Sequence, residues 1–356
     1  MSIFFDLFLH YNGTMNKVKN TLFSNTPVTL DENSYIMAIE SSCDETACAI
    51  LQGGRKVVAN TVASQIKTHE QYGGVIPEIA AREHLEAINV VIDKTFKDAG
   101  ITPDEVSAFA GTVGPGLVGC LLVGLNAAKT LALVHDKAFI GVNHLNAHIS
   151  ANFIDTDLKP PFIALLVSGG HTQIIDVKSY SQMDIIGETI DDAVGEAYDK
   201  VARLLGLPYP GGARLDKLAQ VGNKNAFKLP EAKVGEFDFS FSGLKTAASR
   251  LVKSFDGQEL PLEDICASFQ ECVSETLMKK VKKALEKTGY KQVVIAGGVA
   301  ANSEIRRKIF DLEKDGYRVC APPMKYCTDN AAMVASCAYF NTNTFDDVDV
   351  EVFSRV

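Results

Sequence analysis

The chain has 356 residues, 46% of them hydrophobic and 22% charged, with no Trp and a net charge of −9. Such a composition is that of a folded protein with a sizeable core, in one large domain or two lobes. The acidic balance argues against a general polyanion binder, though not against a nucleic-acid site confined to one patch or shared with a partner.

Residues 1–34 begin on the apolar stretch "MSIFFDLFLHYNG", which carries Asp6 and no basic leader, and they contain no Arg. They read as neither a signal peptide nor a transit peptide but as a poorly ordered extension outside the fold. The fold opens at residues 35–54, "YIMAIESSCDETACAILQGG". An apolar strand, Tyr35 to Ile39, breaks into the polar heptad Glu40 to Thr46, and apolar residues resume through Leu51. A hairpin needs only a turn former such as Asn-Gly. This turn holds three carboxylates and three hydroxyls, and is either a solvated turn or part of a site.

A short extended stretch and a helix follow. Then "VSAFAGTVGPGLVG" predicts a strand, Val106 to Ala110, a Gly-rich turn, and a helix from Leu117 to Val134. Residues 161–177, "PFIALLVSGGHTQIIDV", form a second hairpin around "SGGHT". After helical segments, "YKQVVIAGGVAANSEIRRKI" reads as a strand ending in Gly297-Gly298, then a helix. Each half therefore runs hairpin, helix, strand–Gly turn–helix. The expectation is a duplicated α/β fold with lobes at 35–155 and 156–340, a helical insertion in the second, and a tail at 341–356. Gly turns let backbone approach a ligand, and the helix N-termini behind them favour anions. Two such halves make a central cleft lined by the two hairpin turns.

The eight Cys include no CxxC pair and read as reduced, packed thiols of a cytoplasmic protein. No apolar stretch reaches the length of a membrane span. "GVNHLNAHIS" sets His144 and His148 four apart, on one helix face, either as unrelated histidines or as two metal ligands. "KYCTDNAAMVA" offers Asp329 at the start of an apolar helix, either as its cap or as a third ligand. Two His and a carboxylate with open positions suit Fe(II), and zinc also accepts them. The sequence is not HExxH, so a metalloprotease reading fails.

"ESSCDET", "YGGVIPEIAAREH", "GPGLVGCLLVG", "HLNAH", "LLVSGGHTQ", "GETIDDAVGEAYDKVARLLGLPYPGG", "FSFSGLKTA", "IAGGVAAN" and "CTDNAAMVA" occur in that order, from about residue 36 to 340. Together they resemble the TsaD family of bacterial-type tRNA threonylcarbamoyladenosine synthases. The resemblance implies the two-lobed actin-like fold shared with sugar kinases and Hsp70. It implies transfer of threonylcarbamoyl from threonylcarbamoyl-AMP to N6 of the adenosine at tRNA position 37 in tRNAs reading ANN codons, with release of AMP. Carried over, it implies one Fe(II) on His144, His148 and Asp329. It places the adenylate against Leu166, Val167, Ser168, Gly169 and Gly170, with Asp199, Gly212, Asp216 and Asn302. Asp199 and Asp216 suit hydroxyl donors such as a ribose. Asp199 is otherwise a surface partner of Lys200 or Arg203, and Asn302 either bonds the adenylate or caps a helix. The implied partners are tRNA, a TsaB-like paralogue and a TsaE-like ATPase, with no membrane. The alternatives are a kinase or ATPase of the same fold, without the histidine-bound metal, and a noncatalytic scaffold lacking the full ligand set. Ala138, where relatives usually have Pro, and Asn146, often Glu, depart from the family pattern without removing a ligand.

Overall fold

The structure is a computed structural model that describes residues 29–341, 346 and 349–354. Most of the predicted N-terminal extension lies outside the described residues. Of its last six, Leu30 packs against the first core, and the Ser34 carbonyl accepts from Gly53 N–H at 3.0 Å.

Two five-stranded sheets organise the chain. The first contains β1 (Tyr35–Glu40), β2 (Glu45–Gln52), β3 (Lys56–Ser64), β4 (Ala108–Gly114) and β5 (Ala138–Asn143), in the order β3-β2-β1-β4-β5. The second contains β6 (Phe162–Val167), β7 (Thr172–Ser179), β8 (Gln182–Glu188), β9 (Gln292–Ala296) and β10 (Arg318–Cys320), in the order β10-β9-β6-β7-β8. Read from the other edge, the second order repeats the first. In each, the hairpin is antiparallel and the opening strand pairs in parallel with the later one, β1 with β4 and β6 with β9. The duplication expected from the motif order is a property of the sheets.

The central strands are buried on both faces, so their apolar runs are unbroken rather than alternating. The period of two survives in what each residue touches. Ile36 and Ala38 join one core cluster, while Met37 and Ile39 join the one on the opposite face. In β6, Ile163, Leu165 and Val167 face one way and Phe162, Ala164 and Leu166 the other. Helices α1 (Ile66–Glu70), α2 (Pro77–Ala99) and α3 (Val118–Val134) follow in the first half. β4 runs through Gly111 to Gly114, beyond the predicted Val106–Ala110. Gly111 is strand rather than turn because it pairs with Gly141 of β5 and Ile39 of β1, and a methyl there would lie 3.2 Å from Ala128 of α3, so the glycine lets strand and helix pack closely.

Helix α4 (His144–Ser150) stands between the sheets. Ala147 packs into the first core, Leu145 and Ile149 into the second lobe's. The second half adds α5 (Val194–Leu204), α6 (Gly211–Ala219), α7 (Ser242–Ser254), α8 (Leu262–Thr288), α9 (Ser303–Phe310) and α10 (Ala331–Phe340). Sequence order placed α10 in the second lobe, at 156–340, and the structure corrects this. Its residues 331–335, 337 and 338 share a core with Ile36, Ala38 and Ala47 of the first sheet. A helix apolar on nearly every face must be covered all round; the first sheet's open face and α4 cover it, and its Ser336 hydroxyl donates to the Ser150 carbonyl. The tail also folds back, with Phe353 N–H donating to the Val113 carbonyl and Asp346 accepting from Gly141 N–H.

Candidate metal centre and substrate cleft

The side chain of Asn143 accepts from the N–H groups of Leu145 and Asn146 and so starts α4. That cap fixes the one-turn offset between His144 and His148, whose rings meet edge-on with centroids 4.6 Å apart. The cap of α10 is Asn330, which accepts from Met333 N–H. Asp329 is thereby free of capping, and its Oδ1 lies 3.2 Å from His148 Nε2 and 3.6 Å from His144 Nε2. One donor atom from each residue falls within 4.8 Å of the others, so the three can share one ion. His148 Nδ1 is buried without a partner, whereas the Nε2 edges of both rings face the carboxylate. The chemistry and convergence of this donor set fit a divalent cation.

Electrostatics bind the group together. Burial opposes a charge on His144, yet Glu40 and Asp329 outweigh it and raise the imidazole to about 9. Burial likewise opposes a charge on Asp329, and the His144 and His148 partners outweigh it, lowering the carboxyl to about 2. For His144 the folded value lies above the unfolded one. Its contribution to stability is therefore complete below about pH 6.5 and is lost as pH rises through about 9. The metal-free chain should lose on the order of 1–3 kcal/mol over that window. Urea unfolding across pH, with and without chelator, measures it. A flat profile for the metal-free chain would contradict the charge arrangement, and bound metal should remove the loss.

The heptad "ESSCDET" divides into two parts. Glu40, Ser41 and Ser42 are buried. Ser41 Oγ donates to the Cys120 carbonyl and accepts from Gly124 N–H, which pins the turn to α3. Cys43, Asp44 and Glu45 are only partly buried. Burial, with Asp329 adding to it, raises Asp44 and pushes Glu45 up to about 7, while burial and Asp44 raise the Cys43 thiol and keep it inert. His84, which sequence reasoning left without a role, clamps this turn. Its Nδ1 lies 2.7 Å from Thr46 Oγ1 and its Nε2 3.0 Å from the Cys43 carbonyl.

At the second hairpin, Leu166 and Val167 are fully buried, so only their backbone can meet a ligand. Ser168, Gly169 and Gly170 form the turn, tied to the start of α5 by Gly195 N–H donating to the Ser168 carbonyl. A methyl built on Gly169 or Gly170 meets no atom within 4 Å. Gly297 differs. It sits at φ +88° and a methyl there would lie 2.4 Å from the Val167 carbonyl oxygen, so close packing requires it, whereas Gly298 faces open space. His171, at the end of the turn, is held below its usual value by burial and by the positive charge of His144 and His148.

Asp199 does not pair with Lys200, which bonds Asp192 and Glu196. Its Oδ1 accepts from Gly211 and Gly212 N–H at 3.0 and 3.1 Å, and burial raises its carboxyl. A cavity of about 150 Å³ opens there, lined by Gly73 from the first half and by Asp199, Arg203, Tyr209 and Gly211 from the second. Asp216 accepts from Ser303 N–H and Oγ. Asn302 caps α9 by accepting from Ile305 N–H, and its amide donates to Gln270. Beside them lies a cavity of about 480 Å³ bounded by Gln270, Glu271, Ser303 and Arg307. The "FSFSG" motif is organised by Asp191, which accepts from Ser240, Phe241 and Ser242, and Lys245 beyond it is exposed.

The family model described as "TsaD: tRNA N6-adenosine threonylcarbamoyltransferase" matches residues 56–336. A protein of that name from Microcystis aeruginosa is 49% identical over 334 residues, 91% of this chain and 97% of its own. One from Clostridium beijerinckii is 51% identical over 316 residues, 87% of this chain and 93% of its own. Among solved structures, HypF from T. kodakarensis superposes with a TM-score of 0.63 at 14% identity, over 90% of this chain and 49% of that one, a likeness of fold alone.

Proposed function

From the premise that the chain belongs to the tRNA N6-adenosine threonylcarbamoyltransferase family, TsaD, we propose the reaction its cleft carries out. This transferase modifies tRNA. The acyl donor is threonylcarbamoyl-AMP, and the acceptor is N6 of the adenosine at tRNA position 37 in tRNAs reading ANN codons. The carbamoyl carbon–oxygen bond to the phosphate breaks, the carbon–N6 bond forms, N6 gives up a proton, and AMP leaves. The observation that supports this reading is the convergence of His144, His148 and Asp329, whose donor atoms lie within 4.8 Å of one another, in a chain that also carries an open Gly turn at Gly169 and Gly170.

We read Leu166 to Gly170 as the adenylate's backbone cradle, with Gly169 and Gly170 N–H as donors to the phosphate and acyl oxygens, since Ser168 N–H already donates to the His171 carbonyl and Leu166 and Val167 lie in the sheet. The free oxygen of Asp199 takes a ribose hydroxyl beside Gly212. Asp216 and Asn302, which hold the start of α9, stand on the nucleoside side of the adenylate in this reading. Because the donor arrives activated as a mixed anhydride, the chain's main work is proximity and orientation. The ion held by His144, His148 and Asp329, read as Fe(II) with zinc as the alternative, supplies a Lewis acid for oxygen bearing developing charge.

The partners belong to this proposal too. Leu85 and Val90 on α2 and Val118 and Leu122 on α3 are exposed apolar side chains on two helices packed against each other, which supports docking of a TsaB-like paralogue. A TsaE-like ATPase and a cytoplasmic location complete the reading. Among the described residues no helix is long and apolar enough to cross a membrane. Arg82, Arg203, Arg214 and Lys245 are exposed, a small set of cations for a polyanion. Isolated chain should therefore bind tRNA weakly, more tightly with the paralogue, and lose binding steeply with salt. The test combines the chain, its partners, threonylcarbamoyl-AMP and tRNA, with nucleoside mass spectrometry as the readout. Modified nucleoside is expected only from tRNA bearing adenosine at position 37. Its absence, with metal bound and the chain folded, would reject the proposal.

A further inference from the structure

The last residue of β1, Glu40, is fully buried, and nothing in the family match assigns it a part. Its Oε1 accepts from Ser42 N–H at 2.5 Å. Its Oε2 accepts from Thr112 Oγ1 at 2.6 Å and lies 3.1 Å from His144 Nδ1. Ser42 Oγ stands 3.3 Å from the same nitrogen. The Nδ1 edge of His144 thus faces the first hairpin turn, and its Nε2 edge faces Asp329. His148 has no counterpart, since its Nδ1 is buried without a partner.

We propose that Glu40 is the positioning residue of the metal centre: it accepts the Nδ1 proton of His144 and thereby leaves the Nε2 lone pair directed at the ion. The inference rests on the reading of His144, His148 and Asp329 as metal ligands, and it deepens that reading. A carboxylate accepts and cannot donate, so its contact with Nδ1 selects the ring form with hydrogen there. The same contact fixes the ring plane and makes Nε2 a stronger donor to the ion. Thr112 and Ser42 N–H in turn hold the carboxylate still. Of the two histidines, His144 alone has such support among the described residues, through a contact made across 104 positions of chain.

A purely structural staple, joining the hairpin turn to β4, is the competing account of the same hydrogen bonds. The two differ in what Glu40→Gln changes. Gln keeps the size but presents an amide that donates as well as accepts. Metal affinity of the full-length chain is measured by competition with a chromophoric chelator, using Zn²⁺ and Co²⁺, beside chemical unfolding of the metal-free form. The expected result is affinity about 10–100-fold weaker in Glu40→Gln, with an altered Co²⁺ absorption spectrum. Parent-like affinity with an unchanged Co²⁺ spectrum in folded Glu40→Gln would overturn the proposal.

A second measurement needs no variant. Nitrogen-15 NMR of the zinc-loaded parent should find the His144 ring proton on Nδ1, shifted downfield and slow to exchange. A ring bound to zinc through Nδ1 overturns the assignment. If the parent takes up neither metal, the metal reading falls and this inference with it. If the parent loads and Glu40→Gln loads equally, only the part given to Glu40 fails.

Discussion

Asp329→Asn is expected to strip the metal and lower threonylcarbamoyl transfer by at least about 1,000-fold, which corresponds to the several kcal/mol a Lewis acid contributes. The variant keeps the shape of the side chain and removes the charge that both histidines face at 3.2 and 3.6 Å. α10 should remain intact, because its cap is Asn330 rather than Asp329. His144→Ala should lose metal and activity to the same extent but behave differently in stability. It leaves the buried Glu40 carboxylate without its charged partner, a loss on the order of 3–5 kcal/mol. Elemental analysis, transfer assays and unfolding curves on the two variants separate these effects. Full metal occupancy in Asp329→Asn would remove the residue from the ligand set.

Gly169→Val is expected to weaken binding of the adenylate far more than it weakens the fold. The space beyond Gly169 is open, and its backbone is not held in the left-handed region, so a branched side chain fits the unliganded chain without collision. It would occupy the room where phosphate or acyl oxygens approach the backbone. Losing one charge-assisted hydrogen bond costs about 1.5–3 kcal/mol, roughly 10–150-fold in affinity. Calorimetry with a nonhydrolysable adenylate analogue reads the first quantity and thermal unfolding the second. Gly195→Val is the contrast. A methyl there would come within 2.6 Å of the Ser168 carbonyl oxygen, so this change should destabilise the fold itself. Equal adenylate affinity in Gly169→Val and the parent would move the acyl-AMP away from this turn.

The acidic first turn shows why a motif can be legible while its parts are not. "ESSCDET" stands out because an apolar strand turns abruptly polar, a contrast visible in any window of the sequence. Which acids face inward depends on what packs over them. Glu40 and Ser41 are covered by α3, β4 and α4, while Asp44 and Glu45 are left partly exposed. Glu40 carried one usable signal, since a carboxylate that ends a central strand lies at the carboxyl edge of the sheet, where α/β folds build their sites. Nothing local distinguished Asp329 from Asn330 as the helix cap either, because both side chains can accept a backbone N–H.

By itself the sequence determined the elements and their repetition. Strand alternation, the four-residue spacing of His144 and His148, and the glycines at strand ends are properties of neighbours along the chain, and short-range sterics settle them. The ordered motifs were enough to indicate the family, and with it the kind of reaction. Tertiary structure alone decided which groups meet. It moved α10 from its place in chain order onto the first sheet, because a helix apolar on nearly every face finds its missing cover there. It brought Asp329 to the histidines and Glu40 to the far edge of His144. It also spent Asp216 and Asn302 on holding the start of α9. Contacts of that range depend on the packing of both sheets at once, a sum over the whole core that no local pattern encodes.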